Sequence, residues 1–112
     1  MEIIKELRSE ILPKLPFRIG DLLYANYHTK GYRPKVTKNP HKLRRISLNF
    51  GERYCWISCV LGKKEKEYYA ECLWYKRENA IKYEELWDRA IKESLDWKEF
   101  EALREKDLKE RK

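Results

Sequence analysis

Apolar and polar residues alternate with a period of two from Leu43 towards Tyr75, and the chain then turns to a helical period. Ile46, Leu48 and Phe50 interleave with Arg45, Ser47 and Asn49, which is the signature of a strand with one buried face. Gly51 and Glu52 suit the centre of a two-residue type II′ hairpin, where Gly takes the first position. The pattern predicts strands at about 43–50, 53–61 and 68–75, with residues 62–67 as a polar connection. The last fifty residues hold neither Gly nor Pro. Tyr83, Trp87, Ala90, Ile91 and Ser94 form one helical stripe, broadened by Leu86 and Leu95. Asp96 and Glu99 then start a second helix as a D-x-x-E capping box, with Trp97, Phe100, Leu103 and Leu108 on its buried side.

The first third is less regular. Ile3, Ile4, Leu7 and Ile11 give a short amphipathic helix over 2–12, ended by Pro13. Residues 17–27 fit either period, and Asp21 as an N-cap favours a short helix. Gly31, Pro34 and Pro40 mark residues 27–41 as a long loop, a length usually tied to function or disorder. The expected fold is α+β: a three-stranded antiparallel β-meander packed on two C-terminal helices, preceded by a short N-terminal helix. Residues 1–112 form one small domain, with a basic loop at 28–42 and a frayed charged tail at 105–112.

The hairpin turn sets a register of Phe50 opposite Arg53, Leu48 opposite Cys55, Ile46 opposite Ile57 and Arg44 opposite Cys59. Pairing Leu61 with Tyr68 extends it, placing Cys72 opposite Ile57 and Trp74 opposite Cys55. Opposite residues share a face. One face then collects Ile46, Leu48, Phe50, Cys55, Ile57, Cys59, Leu61, Ala70, Cys72 and Trp74, a core for the C-terminal helices to cover. The other collects Arg45, Ser47, Asn49, Tyr54, Trp56, Ser58, Tyr69, Glu71, Leu73 and Tyr75. That face is either open or covered by the N-terminal helix. A one-residue slip would bury Arg45, Ser47 and Asn49 instead, which disfavours it.

Charge changes the picture. Residues 22–51 hold no Asp or Glu, but do hold Lys30, Arg33, Lys35, Lys38, Lys42, Arg44 and Arg45. The flanks are balanced almost charge for charge, so the formal net charge of +7 lies in this window. Such a stretch reads as a surface for a polyanion. Arg, Asn, Trp and Tyr on the second face can contact base edges or stack on bases. The expected nucleic-acid contacts are Lys30, Arg33, Lys35, Lys38, Lys42, Arg45, Asn49, Tyr54, Trp56 and Tyr69. The leading partner is DNA or RNA. The alternative is a protein-binding module, an inhibitor or accessory subunit, for an acidic protein. A two-fold homodimer would double the small basic surface.

No catalytic set stands out. There is no nucleophile–base pair, Walker loop or dinucleotide fingerprint, and the expectation is a non-enzymatic protein. Cys55 and Cys59 are four apart on a strand, roughly 13 Å, too far for one zinc ion. The cysteines read as small core residues, and His28 and His41 as polar flanks of the basic loop. No metal or cofactor is implied. No apolar run reaches about 18 residues, and Glu2, Lys5, Glu6 and Arg8 interrupt any signal-peptide core. The expectation is a soluble cytoplasmic chain without a membrane partner. Abundant Lys and Glu with two His hint at a thermophilic source.

The expected order of three strands and a helix, over about 43–95, resembles the ethylene-response-type DNA-binding domains and the arm-binding domains of some integrases. That resemblance is one of architecture, with no shared motif. It implies Arg and Trp presented from a sheet to the major groove, and it assigns no residue here.

Overall fold

In the computed structural model, which describes residues 15–28, 34–94 and 96–111, six strands precede two helices. They are β1 (Leu22–His28), β2 (Pro34–Val36), β3 (His41–Phe50), β4 (Cys55–Leu61), β5 (Lys66–Tyr69) and β6 (Leu73–Trp74). A 3-10 turn, Ala70–Cys72, separates β5 from β6, and α1 (Arg77–Lys92) and α2 (Lys98–Leu108) follow. The class is α+β with an antiparallel sheet, but with twice the expected strands. The helix expected over 2–12 lies outside the described residues. None of the described helices is long and apolar enough to cross a membrane.

The segment given to a helix at Asp21 is the strand β1. Its local spacing allowed both, and tertiary pairing decided. Asp21 caps nothing: its carboxylate accepts from Arg18 N at 2.9 Å and from the Tyr75 hydroxyl at 2.7 Å. Leu23 and Ala25 are fully buried on one side of β1, and Asn26 is buried on the other. Both faces are covered because two layers meet at this strand. Within the expected 28–42 loop, β2 pairs with β1, and β3 then continues beside β1 with Leu23 opposite His41.

β3 leaves β1, crosses to β4, and β4 pairs with β5. β6 returns to β1, with Tyr24 opposite Trp74. The third strand expected at 68–75 is thus broken at the 3-10 turn, and Trp74 pairs on the far side of the sheet rather than opposite Cys55. The sheet curls around its own core of Phe17, Leu23, Ala25, Leu43, Cys59, Leu61 and Leu73. The helices cover a different surface. Trp74, Ala80 and Leu103 form a second cluster with Val36, Tyr83 and Leu86, and α1 packs on β1, β2 and β6. Phe50 and Cys55, expected under the helices, are exposed at the hairpin end. Trp97 is 62% exposed and stacks on Phe100.

The hairpin register also differs. Gly51 N donates to Tyr54 O at 2.8 Å, so residues 51–54 form the loop and Phe50 sits opposite Cys55. Leu48 therefore pairs with Ile57 and Ile46 with Cys59, a shift of two residues. An even shift preserves which residues share a face, since side chains repeat every second position. The second hairpin shifts by two as well, with Cys59 opposite Tyr68 and Ser58 opposite Tyr69. A bulge between Leu43 and Arg45 leaves Arg44 without an opposite residue. Bulges re-aim side chains. Arg44, expected over the core opposite Cys59, is exposed instead.

The end of α2 belongs to the core rather than to a frayed tail. Asp107 is fully buried and accepts from Tyr75 N at 2.9 Å, Lys76 N at 3.1 Å and Asn79 Nδ2 at 2.8 Å. Arg104 lies 3.8 Å above the Trp74 ring and donates to Leu73 O at 2.6 Å.

Burial also sets an alkaline limit. It pushes the Cys59 and Cys72 thiols up to about 11 from 9.0. Burial, then the Asp21 hydrogen bond, raises Tyr75 above its ordinary value of 10.0. Each group ionises in the unfolded chain first, so there the native state binds more protons and stability falls as pH rises. Urea midpoints should decline from about pH 9, where thiols ordinarily titrate, and fall further above about pH 10. Tyr75→Phe should flatten the decline above pH 10.

Candidate nucleic-acid interface

Two separate places collect the expected site residues. The larger is a groove of about 1010 Å³ between the β2–β3 connection, the start of β3 and the turn joining β4 to β5. The first wall is pinned by Thr37. Its Oγ1 accepts from Ala25 N at 3.1 Å, its N donates to Ala25 O at 3.0 Å, and its carbonyl accepts from Arg77 Nε at 3.1 Å. The chain then arches outward through Lys38, Asn39 and Pro40 before β3 begins.

The second wall is the turn 62–65. Gly62 N donates to Lys42 O at 3.0 Å, and Glu65 N donates to Gly62 O at 3.2 Å. Gly62 has φ +73, where a side chain is strained, and an added Cβ would lie 3.3 Å from His41 Nδ1. Gly62→Ala should therefore cost about 1–2 kcal/mol in urea unfolding, mainly from the left-handed backbone.

Six cations line the groove: Lys38, Lys42, Arg44, Lys63, Lys64 and Lys66. Glu67 is the one carboxylate among the lining residues, and Tyr27, His41 and Tyr68 add rings. Among the described residues the ion pairs join Lys76 to Glu78 and Glu110, and Arg104 to Asp107, so none engages these six cations. Burial, with Tyr27 adjacent, raises the Tyr68 hydroxyl above its ordinary value. It is a neutral donor at physiological pH.

Of the expected contacts, Lys38 and Lys42 stand in this groove. Lys30 and Arg33 lie outside the described residues. Lys35 is exposed on β2, opposite Tyr27. Arg45 is exposed on β3, opposite Val60. Asn49 is half-buried and donates to Ser58 Oγ at 2.9 Å, so part of its amide is already used within the sheet. Tyr54, Trp56 and Tyr69 line a second cavity of about 490 Å³ with Leu48, Ile57 and Glu71. Arg44 in the groove and Leu48 in the second cavity stand four positions apart on β3, roughly 13 Å at about 3.3 Å per residue, and the adjacent Tyr68 and Tyr69 line one place each.

The polar and aromatic face is open at its hairpin end and again at Arg45 and Glu67, with a buried stretch on β4 between them. Tyr54 is 71% exposed and Tyr69 54%, while Ser58 and Val60 on the same face are buried. Lys63, Lys64 and Lys66 were not among the expected contacts. Glu65 and Glu67 balance them in the linear charge count, and only the pairing of Leu43 with Leu61 brings this turn beside Lys42. Comparison with family models, curated proteins and solved structures returned no match. The functional reading rests on the geometry.

Proposed function

We propose that this chain binds nucleic acid through the groove between residues 38–44 and 62–67, with the phosphate backbone as its principal contact. One observation carries the reading: six cations converge on one concavity without an ion pair among the described residues, against a single carboxylate. A concentration of like charge is unfavourable in isolation and is relieved by a polyanion, whose condensed counterions are released on binding. Tyr27 and Tyr68 offer ring surfaces for bases or sugars in the same groove. Arg45 and Lys35 lie outside it and would act at longer range. The chain has no catalytic role in this reading.

Salt dependence tests it. If four to six of the cations each meet a phosphate, log K against log salt should slope by about −3.6 to −5.4 on duplex DNA, and by about −2.8 to −4.2 on a single strand. A flat slope would remove nucleic acid as the ligand. Capture of a discrete acidic protein, with mixed-sequence DNA and RNA unbound at low salt, would favour the competing protein-binding reading.

A further inference from the structure

The cavity at the hairpin end has the opposite electrostatic character, and its geometry points to a methylated ammonium group on a peptide as its occupant. Three rings surround it. Tyr54 and Trp56 have centroids 5.4 Å apart with planes inclined at 40°, so neither ring closes over the other. Tyr69 stands opposite Ser58, two positions from Trp56 on the neighbouring strand, and shares their face. Gly51 packs beside these rings, its Cβ position 3.4 Å from the Trp56 ring. Leu48 and Ile57 add apolar lining.

Glu71 is the one charged residue that lines the cavity. In a chain of net charge +7, a ring-lined cavity with no Lys or Arg and one carboxylate suits a cation. Ring faces attract cations through their quadrupole, most strongly when the cation is easily desolvated, as a quaternary ammonium is. No Lys or Arg lines the cavity to meet a nucleotide's phosphate, and the Arg104 guanidinium beside Glu71 is already engaged by the Glu71 and Leu73 carbonyls and the Trp74 ring. Arg45 is four positions along β3 from Asn49, the partner of Trp56, or roughly 13 Å at about 3.3 Å per residue.

The backbone adds a second observation. β4 pairs with β3 along its length, but β5 pairs only with Ser58–Leu61 before the chain leaves in the 3-10 turn. The outer edge of Cys55, Trp56 and Ile57 thus has no strand partner among the described residues. The 3-10 turn stands beside β4 at this cavity. An edge without a strand partner next to a cavity is nonetheless the arrangement by which an extended peptide adds a strand and places one side chain in a pocket. We infer that a peptide pairs along this edge and seats a trimethylated lysine among Tyr54, Trp56 and Tyr69, with Glu71 balancing its charge.

The test is an NMR titration of the full chain, following the Trp56 indole N–H. The probes are a short peptide carrying one trimethyllysine, the same peptide with the neutral tert-butyl isostere, and the same peptide with unmodified lysine. The trimethyllysine peptide should shift the Trp56 signal and bind roughly two- to thirty-fold more tightly than the isostere. Glu71→Gln and Tyr69→Leu, both at exposed positions, should weaken it while the rest of the spectrum is kept. Equal affinity for the isostere would overturn the proposal, since apolar contact would then suffice. No response of Trp56 to trimethyllysine would overturn it too. So would a short oligonucleotide shifting Trp56 where the peptide does not, which would make the rings a base-stacking platform. The inference is independent of the basic groove: Lys63→Glu with Lys64→Glu should leave peptide binding unchanged.

Discussion

Replacing Lys63 and Lys64 together by Glu should lower affinity for a mixed-sequence duplex by roughly 60-fold at about 0.1 M salt. Two lost phosphate contacts reduce the salt slope by about 1.8, and at that salt each unit of slope is about one decade of affinity. Repulsion from the new carboxylates adds to the loss. Both residues are exposed at the tip of the 62–65 turn, whose shape is held by Gly62 and Glu65, so the fold should be unaffected. Circular dichroism and the urea midpoint check that. Reversing Arg89 and Lys92 on α1, outside the groove, removes the same formal charge and is the control. Fluorescence anisotropy of a labelled duplex reads both variants. Equal losses would mean that net charge, rather than the groove, attracts the polyanion.

Asp107→Ala should have the largest effect on stability, about 3–5 kcal/mol, read as a lower urea midpoint with the slope unchanged. The carboxylate joins the two helices and the sheet at one point. Lys76 precedes α1 with no side-chain cap of its own, and Asp107 reaches across from α2 to accept from Tyr75 N, Lys76 N and the Asn79 amide. Its negative charge also sits at the N-terminal, positive end of the α1 dipole. Alanine leaves the buried Asn79 amide and the part-buried Tyr75 and Lys76 N–H groups without this acceptor, and removes the ion-pair partner of Arg104, 3.9 Å away. Asp107→Asn, which keeps one acceptor oxygen, should lose less. Since domains are held by about 5–15 kcal/mol, the Ala variant should be close to unfolding at 37 °C. A loss under about 1 kcal/mol would show that α2 docks through Trp74, Leu103 and Phe100 alone.

The two variants differ in how far each residue could be read in advance. Lys63 and Lys64 were visible as charges but balanced on paper by Glu65 and Glu67. Asp107 was one acid in a charged run, and helix periodicity alone did not mark it. In both cases the decisive neighbour is distant in sequence: Lys42 for the turn, and the start of α1 for the aspartate.

From the sequence alone follow the α+β class, the positions of β3, β4 and both helices, and the concentration of net charge in 22–51. The division of β3 and β4 into two faces follows as well. These depend on local periods, and the faces withstood a two-residue error in register because an even shift leaves side-chain direction unchanged. Tertiary structure alone decided that residues 22–28 form a strand, that β6 closes back on β1, and that a bulge turns Arg44 outward. It also decided that the cations of residues 38–44 meet those of 63–66. Local spacing at 22–28 satisfied both a helix and a strand, so the choice fell to pairing energies between segments far apart in the chain, which periodicity does not encode.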